Sequence, residues 1–194
     1  MASNNNNNDL LINAAERGDE AEVRRLLGVG CPVDARGGDG RTPLMEASEK
    51  GHLGVVNLLL THGADPHAQD NYGSTALMFA AMKGQTPTVE RLLQAGARTG
   101  DRDSDGTTAL MEAAYRGHLS SVRALLAWGA DPTVADNVGD TARDRAKREG
   151  HQEIEELLSS AEWDHRTTED RGRRHGEYWR DRFECIKQYI FYLK

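Results

Sequence analysis

The sequence of 194 residues is poor in cysteine and has no long apolar run. Its two cysteines, Cys31 and Cys185, are far apart and belong to no CxxC motif, which excludes a disulfide framework and a zinc site built from cysteine pairs. No segment approaches the roughly 18 consecutive apolar residues of a membrane-spanning helix. The first residues also lack the basic and then apolar pattern of a secretory signal. These absences predict a protein with reduced thiols in the cytoplasm or the nucleus.

Catalytic and metal-binding motifs are also missing. The sequence contains no GxxxxGKS/T, GxSxG or HExxH pattern. His62 and His67 flank a turn, but no cysteine or carboxylate completes a metal site around them. The DRDSDG segment at 101–106 lacks the bidentate glutamate of a calcium loop, because Glu112 falls in a predicted helix. We therefore expect no catalytic residue, no cofactor and no metal, and the net charge of −7 argues against nucleic acid as a partner.

Glycines recur at a fixed interval of 33 residues along the chain. The three series are Gly40, Gly73, Gly106 and Gly139; Gly30, Gly63, Gly96 and Gly129; and Gly18, Gly51, Gly84, Gly117 and Gly150. The first series opens each Gly-x-Thr triplet. A constant interval of about 20–50 residues is the sequence pattern of stacked-repeat proteins.

Each interval has the pattern of two short helices. Thr42 stands where a helix N-cap is favoured, and Pro43 suits the first helical position. The second helix has apolar residues at Val56, Leu59 and Leu60, and this spacing recurs one and two intervals later. One such pair cannot bury its apolar stripe alone, so neighbouring pairs are expected to stack.

The first helix of an interval opens with TPLMEA at 42–47, TALMFA at 75–80 and TALMEA at 108–113, which resembles the opening of the ankyrin repeat. The resemblance implies an all-α repeat solenoid of stacked helix-turn-helix units with projecting β-turns. Asp9 is expected to cap the first unit, and a polar last unit to close the stack. Residues 1–8, which include an asparagine run, are expected to be disordered. The five expected units are at about 9–39, 40–72, 73–105, 106–138 and 139–161.

Methionine replaces the histidine of the family's TPLH motif at Met45, Met78 and Met111. In the family that histidine helps to fix the loop by hydrogen bonds, so this network is expected to be rearranged and the methionines to pack in the core. The histidines at 52, 118 and 151 follow a glycine at the start of a second helix, which is a structural position in the ankyrin pattern.

The resemblance places ligand contacts at the turn tips and on the exposed, concave side of the first helices. Apolar residues at such positions fall in two adjacent units with charged neighbours, as in a binding hot spot. The expected partner-binding residues are Arg41, Glu46, Tyr72, Phe79, Met82, Lys83, Arg102, Glu112, Tyr115 and Arg116. In the alternative interpretation, Phe79 or Met82 folds back between the units. Leu92→Ala should cost about 2–5 kcal/mol of stability, whereas Phe79→Ala should barely change stability and weaken partner binding.

The C-terminal residues differ from the repeats. Residues 162–176 have no apolar period and are predicted to be a linker with a small basic cluster, and 177–194 to be a C-terminal amphipathic helix. This helix is expected to pack on the last repeat, for example near Trp128, or to bind a partner or a second copy; its few basic residues argue against a membrane surface. The apolar seam of the helix comprises Trp179, Phe183, Ile186, Ile190 and Leu193.

The resemblance implies a non-enzymatic protein–protein interaction module, an adaptor or a regulatory subunit that binds a protein partner. The alternative is a scaffold that self-associates, or docks on an enzyme complex, through the C-terminal helix. Residues 162–194 contain two histidines and one cysteine, which cannot assemble an active site.

Overall fold

The computed structural model describes the backbone of residues 2–171 and the side-chain surroundings of residues 8–162. Within this range the chain forms ten helices and no extended strand. The helices are α1 (Ala2–Arg17), α2 (Glu20–Gly28), α3 (Pro43–Lys50), α4 (Leu53–Thr61), α5 (Ala76–Met82), α6 (Thr86–Gln94), α7 (Ala109–Tyr115), α8 (Leu119–Ala127), α9 (Ala142–Arg148) and α10 (Gln152–Arg171). None of these described helices is both long enough and apolar enough to cross a membrane.

The helices pack as two layers. The first helices of successive units pack in the order α1, α3, α5, α7 and α9, and the second helices pack in the order α2, α4, α6, α8 and α10. Paired alanines such as Ala80–Ala81 and Ala113–Ala114 are fully buried in the first layer, where their small side chains let neighbouring helices approach closely. This is the all-α repeat solenoid that the sequence predicts.

A threonine begins the first helix in each of the last four units. The Oγ1 atom of Thr42 accepts a hydrogen bond from the backbone N–H of Met45 at 3.3 Å. Thr75, Thr108 and Thr141 make the same contact with the residue three positions later. Each cap satisfies a backbone donor that the helix itself leaves unpaired. The predicted threonine caps are therefore confirmed.

The chain between two units makes a turn, and we call the four turns fingers 1 to 4, at residues 29–42, 62–75, 95–108 and 128–141. Isolated β-bridges join Gln69 to Thr75 in finger 2 and Ala135 to Thr141 in finger 4. Backbone hydrogen bonds connect successive tips. The N–H groups of residues 71, 104 and 137 donate to the carbonyls of residues 39, 72 and 105 at 3.0, 2.8 and 3.0 Å. The tips thus form one hydrogen-bonded row.

The N-terminal end differs from the expectation. Residues 1–8 were expected to be disordered and Asp9 to cap the first helix, but α1 already begins at Ala2 and Asp9 lies within it. Once Leu11, Ala14 and Ala15 are buried against the next unit, each upstream residue adds a helical hydrogen bond at little further cost.

The C-terminal end is also more helical than expected. The predicted linker at 162–176 overlaps α10, which continues to Arg171. In earlier units a glycine at this position of the repeat ends the second helix, but Glu162 occupies the corresponding place, 33 residues after Gly129. Without a residue that favours the left-handed conformation, the helix continues. The predicted helix at 177–194 lies outside the described residues.

Candidate protein-binding face

Histidine side chains connect each of three units to the unit before it. The Nε2–H group of His118 donates to the backbone carbonyl of Met82 at 3.0 Å. His52 and His151 make the equivalent contact with the carbonyls of Glu16 and Tyr115. Gly84 lies against the His118 ring, and a Cβ atom there would come within 2.5 Å of Nδ1. These histidines therefore hold the last turns of the first helices, as their structural interpretation requires.

Charged residues cover the first-helix face at the N-terminal part of the stack. The Arg41 guanidinium pairs with Glu46 at 3.1 Å and with Glu49, and Lys83 reaches the other oxygen of Glu49 at 3.3 Å. The same guanidinium lies over the ring of Phe79, 4.1 Å from its centroid. This group, which we call the Arg41 cluster, joins finger 1 to the helices α3 and α5.

The two carboxylates of the Arg41 cluster have different pKa shifts. Burial raises the pKa of Glu46 more than the nearby Arg41 charge lowers it. For Glu49, burial also acts to raise the pKa, but hydrogen bonds from Arg41 and Lys83 outweigh it and the pKa is lowered. Glu49 is therefore the stronger ionised partner of Arg41, and Glu46 is the carboxylate that loses more from desolvation.

A second cluster lies at the other end of the face. The Arg145 guanidinium donates to Asp136 at 2.7 Å and to the hydroxyl of Thr107 at 2.9 Å, and it lies 3.7 Å from Glu112. Burial acts to raise the pKa of Asp136, but its hydrogen bonds with Arg145 and two backbone N–H groups lower it. Burial raises the pKa of Glu112 despite the charge of Arg145. We call this group the Arg145 cluster.

One pair of repeat positions changes character along the stack. It joins the residue before the helix-capping threonine to the residue eight positions later on the first helix. In the second and fifth units the two residues form an ion pair. The first position is basic and the second acidic in the second unit, and the signs are reversed in the fifth. In the third and fourth units both positions are uncharged. In chain order the pairs are Arg41–Glu49, Ser74–Met82, Thr107–Tyr115 and Asp140–Arg148.

In the third and fourth units, Met82 and Tyr115 therefore form an apolar stretch of the first-helix face, which we call the apolar gap. It lies between the ion pairs of the second and fifth units. Both side chains are partly exposed. The exposed Arg116 lies beside the gap, with its guanidinium 5.2 Å from the centroid of the Tyr115 ring. An apolar centre with a charged rim has the composition of a protein interface.

The finger tips carry a second set of exposed apolar side chains. Tyr72 and Val138 are 65% and 84% exposed, at the same position of fingers 2 and 4. Asp39 and Asp105 occupy that position in fingers 1 and 3. The row of tips therefore alternates acidic and apolar side chains.

The stacked helix pairs, the threonine caps and the linked fingers agree with the comparison to known families. The sequence model of the family described as ankyrin repeats (3 copies) matches residues 1–70 and 62–136 of the chain. The chain belongs to the ankyrin repeat family. No curated protein gives a significant match. Ankyrin repeats are general protein–protein interaction modules, and proteins of the family are typically non-enzymatic.

The methionines that replace the ankyrin histidine keep part of a capping role. Met45 and Met78 are buried, and their Sδ atoms accept the backbone N–H of Thr42 and Thr75 at 3.3 and 3.4 Å. Thioether sulfur is a weak acceptor, so these contacts supplement the threonine caps. Met111 is buried as well. The expected core packing is confirmed, and the sulfur contact is the rearranged network.

The structure distributes the ten predicted partner-binding residues over three places. Arg41, Glu46, Phe79 and Lys83 belong to the Arg41 cluster, where their charges and ring faces already have partners. Because Phe79 also packs against the core, Phe79→Ala should cost stability, contrary to the expectation from sequence. The remaining residues divide between the first-helix face and the fingers. On the face, Met82, Tyr115 and Arg116 lie at the gap and Glu112 belongs to the Arg145 cluster; Tyr72 and Arg102 lie in the fingers.

Arg102 has a structural contact within the ankyrin stack. Its guanidinium donates to the backbone carbonyl of Ala135 in the next finger at 2.8 Å, and Arg36 makes the equivalent contact with Gln69 at 2.7 Å. These arginines therefore connect fingers as well as facing solvent. The predicted seam of Trp179, Phe183, Ile186, Ile190 and Leu193 lies outside the described residues. Among the described residues, no group of His, Cys, Asp and Glu side chains could hold a metal ion.

The prediction from sequence missed Arg145 and Val138 as site residues, and it placed Glu49 on the ligand-facing side without pairing it with Arg41. Glu49 and Arg145 complete the two charged clusters, and Val138 is the most exposed of the large apolar side chains described. Val138 could have been predicted from the 33-residue interval, because it occupies the same position of the repeat as Tyr72. The pairing of Arg41 with Glu49 needed the fold, since eight residues separate the two across a turn.

Proposed function

We propose that this ankyrin repeat protein is a non-enzymatic adaptor or regulatory subunit of the cytoplasm or nucleus. It binds a protein partner through the finger tips and the concave first-helix face. The observation that supports this proposal is the apolar gap of Met82 and Tyr115 between two ion-paired ends.

The gap favours the centre of the face as the point of contact. At both ends, the charged groups already satisfy one another, so a partner that replaced those contacts would first break them. In the centre, Met82 and Tyr115 have no such competing ion pair, and their burial by a partner removes apolar surface from water. Arg116 at the rim supplies charge that a partner meets at the edge of the contact.

The test is an affinity capture with the full chain as bait. Proteins that co-purify with the wild type should be lost when Met82 and Tyr115 are both replaced by alanine, since truncation of hot-spot residues costs more than about 1 kcal/mol each. Trp128→Ala is the matched control, because Trp128 is an aromatic residue, 44% exposed, at the end of the second helix α8, ten residues before the tip of its finger at Val138 and not on a first helix.

Thermal melting separates a binding effect from a folding effect. Leu92→Ala removes a fully buried side chain and should lower the melting temperature, while the Met82 and Tyr115 double variant should lower it less. Equal retention of captured proteins by the double variant and by Trp128→Ala would refute the first-helix face as the binding surface.

A further inference from the structure

The row of finger tips has a pattern of its own, separate from the apolar gap. In chain order the outermost residues are Asp39, Tyr72, Asp105 and Val138. Tyr72 and Val138 expose most of their surface, and the backbone hydrogen bonds between fingers hold the four tips in a fixed row. Because the two exposed apolar side chains recur in register on one hydrogen-bonded row, a single extended ligand could cover both of them and so remove their apolar surface from water.

The fingers also hold almost all of the chain's excess negative charge. Residues 29–42, 62–75, 95–108 and 128–141 contain ten aspartates, no glutamate, four arginines and no lysine. Their net charge is therefore −6, out of −7 for the whole chain. Of the four arginines, Arg36, Arg41 and Arg102 bond to backbone carbonyls or carboxylates of this chain, and Arg98 pairs with Asp101 at 2.9 Å.

This charge selects among the occupants that the tips could bind. Nucleic acid and anionic lipid headgroups are repelled by an acidic surface. A second copy of this chain docked tip to tip would bring two acidic rows together, which like-charge repulsion disfavours. The complementary occupant is a basic protein segment with apolar residues to cover Tyr72 and Val138.

The spacing of the tips gives the geometry of such a segment. Successive tips belong to units whose first helices pack side by side, and packed helix axes are about 8–10 Å apart. An extended chain advances about 3.3 Å per residue, so about three residues span the distance from one tip to the next. We propose that the tips bind an extended segment of a partner protein in which basic and apolar residues alternate at every third position.

Asp105 is the best placed of the two acids to recognise a basic residue. Within the described part of the chain, no donor lies within hydrogen-bonding distance of its carboxylate, and the side chain is exposed. Asp39 already accepts the backbone N–H of Arg41 at 3.0 Å through Oδ1. This inference names the partner chemistry of the proposed function and rests on it, but it concerns the tips and not the apolar gap.

The test uses fluorescent ten-residue peptides and the full chain. KGSLGSKGSL and LGSKGSLGSK present the proposed spacing in the two chain directions, and KKLLGSGSGS has the same composition without that spacing. One of the spaced peptides should bind more tightly than the permuted one by fluorescence anisotropy. Equal binding of all three peptides would overturn the proposal, because it would show attraction by charge alone.

Variants assign the contact to the tips. Asp105→Asn should weaken the spaced peptide about two- to five-fold, the range of an exposed ion pair, and Val138→Ser should weaken it as well. Glu153→Gln removes another exposed carboxylate, which lies on α10 and pairs with Arg123, and should have no effect. Asp105→Lys should reverse the preference, so that a peptide with glutamate in place of lysine binds better. Equal losses in Asp105→Asn and Glu153→Gln contradict the proposal.

The two proposals fail separately. If captured partners depend on Met82 and Tyr115 while the spaced peptides bind no better than the permuted one, the proposed function stands and the inference about the tips is wrong. If the spaced peptides depend on Asp105 and Val138 while the Met82 and Tyr115 variant retains every captured protein, the tips are the binding surface and the first-helix face is not.

Discussion

At the scale of the residue, Glu46 and Glu49 show how far the surroundings decide the behaviour of one chemical group. Both carboxylates lie on α3 and face the guanidinium of Arg41. Burial dominates at Glu46 and raises its pKa, while charged hydrogen bonds dominate at Glu49 and lower its pKa. Nothing in the identical side chains distinguishes them. The difference comes first from Arg41, which forms a side-chain hydrogen bond with Glu49 but acts on Glu46 only through its charge, and then from Lys83 in the next unit, which reaches only Glu49.

We predict opposite pH dependence for the two isosteric variants. Glu49→Gln should lower the free energy of unfolding at pH 7, because it removes an ionised partner of Arg41. The wild-type contribution is complete above the ordinary pKa of 4.5 and is lost as the pH falls through the lower folded-state pKa, so the deficit should shrink on acidification. Urea denaturation across this range measures it.

Glu46→Gln is the matched comparison. The folded-state pKa of Glu46 is raised, so ionised Glu46 weakens the fold above that pKa, and this cost disappears as the pH falls to the ordinary value of 4.5. At pH 7 the variant should therefore lose less free energy of unfolding than Glu49→Gln. A larger loss for Glu46→Gln at pH 7 would contradict the assignment.

At the scale of the element, short helices depend on contacts outside themselves. The helices α5, α7 and α9 have seven residues each, which is too short for independent stability in water. Threonine caps begin them, and in α5 and α7 a histidine of the following unit binds a carbonyl of the last turn. The last turns of α5 and α7 are thus stabilised by hydrogen bonds from the next unit.

We predict that His118→Ala loosens the junction between the third and fourth units. Loss of the bond from Nε2 to the carbonyl of Met82 should cost about 1 kcal/mol, and amide exchange should accelerate at the end of α5. His62→Ala is the control, because His62 bonds only to the carbonyl of Leu58 in its own helix. Unchanged exchange at the end of α5 in His118→Ala would show that the contact does not stabilise the junction.

At the scale of the whole molecule, the described helices of each unit pack chiefly on those of the neighbouring units, so stability is approximately a sum of local terms. The apolar core is continuous along the stack, from Leu11 in the first unit to Leu158 in the last. The fully buried leucines Leu59, Leu92 and Leu125 occupy the same place in successive units. The effect of a change should therefore depend on where along the stack it lies.

We predict that Leu125→Ala costs about 2–5 kcal/mol and that the loss is spread unevenly. Hydrogen exchange should accelerate in α7 to α10 and change little in α1 to α4, since a repeat stack unfolds from a weakened end. Leu59→Ala is the matched variant and should give the reverse distribution. The same exchange pattern in both variants would mean that the stack unfolds as one unit.

The sequence by itself determined the architecture. The 33-residue interval, the threonine before each first helix and the apolar stripe of each second helix depend on local chemistry and on the need of each unit to bury its stripe against a neighbour. It also indicated that Tyr72, Met82 and Tyr115 are positions at which the side chain differs from unit to unit, because the repeat pattern does not specify them. Their place in the fold follows from phase alone.

Only the tertiary structure decided which of these residues have partners. Arg41 and Glu49 lie eight residues apart, and Arg145 contacts Thr107 across 38 residues, distances that no local pattern encodes. These contacts place Phe79 beneath a guanidinium and leave Met82 and Tyr115 open. The length of α10 was also decided by context, since the helix extends to Arg171 past Glu162, where the earlier units have a glycine. The periodicity of the sequence therefore determines the helices and the buried positions that recur in each unit, while contacts between units determine which of the other side chains remain exposed.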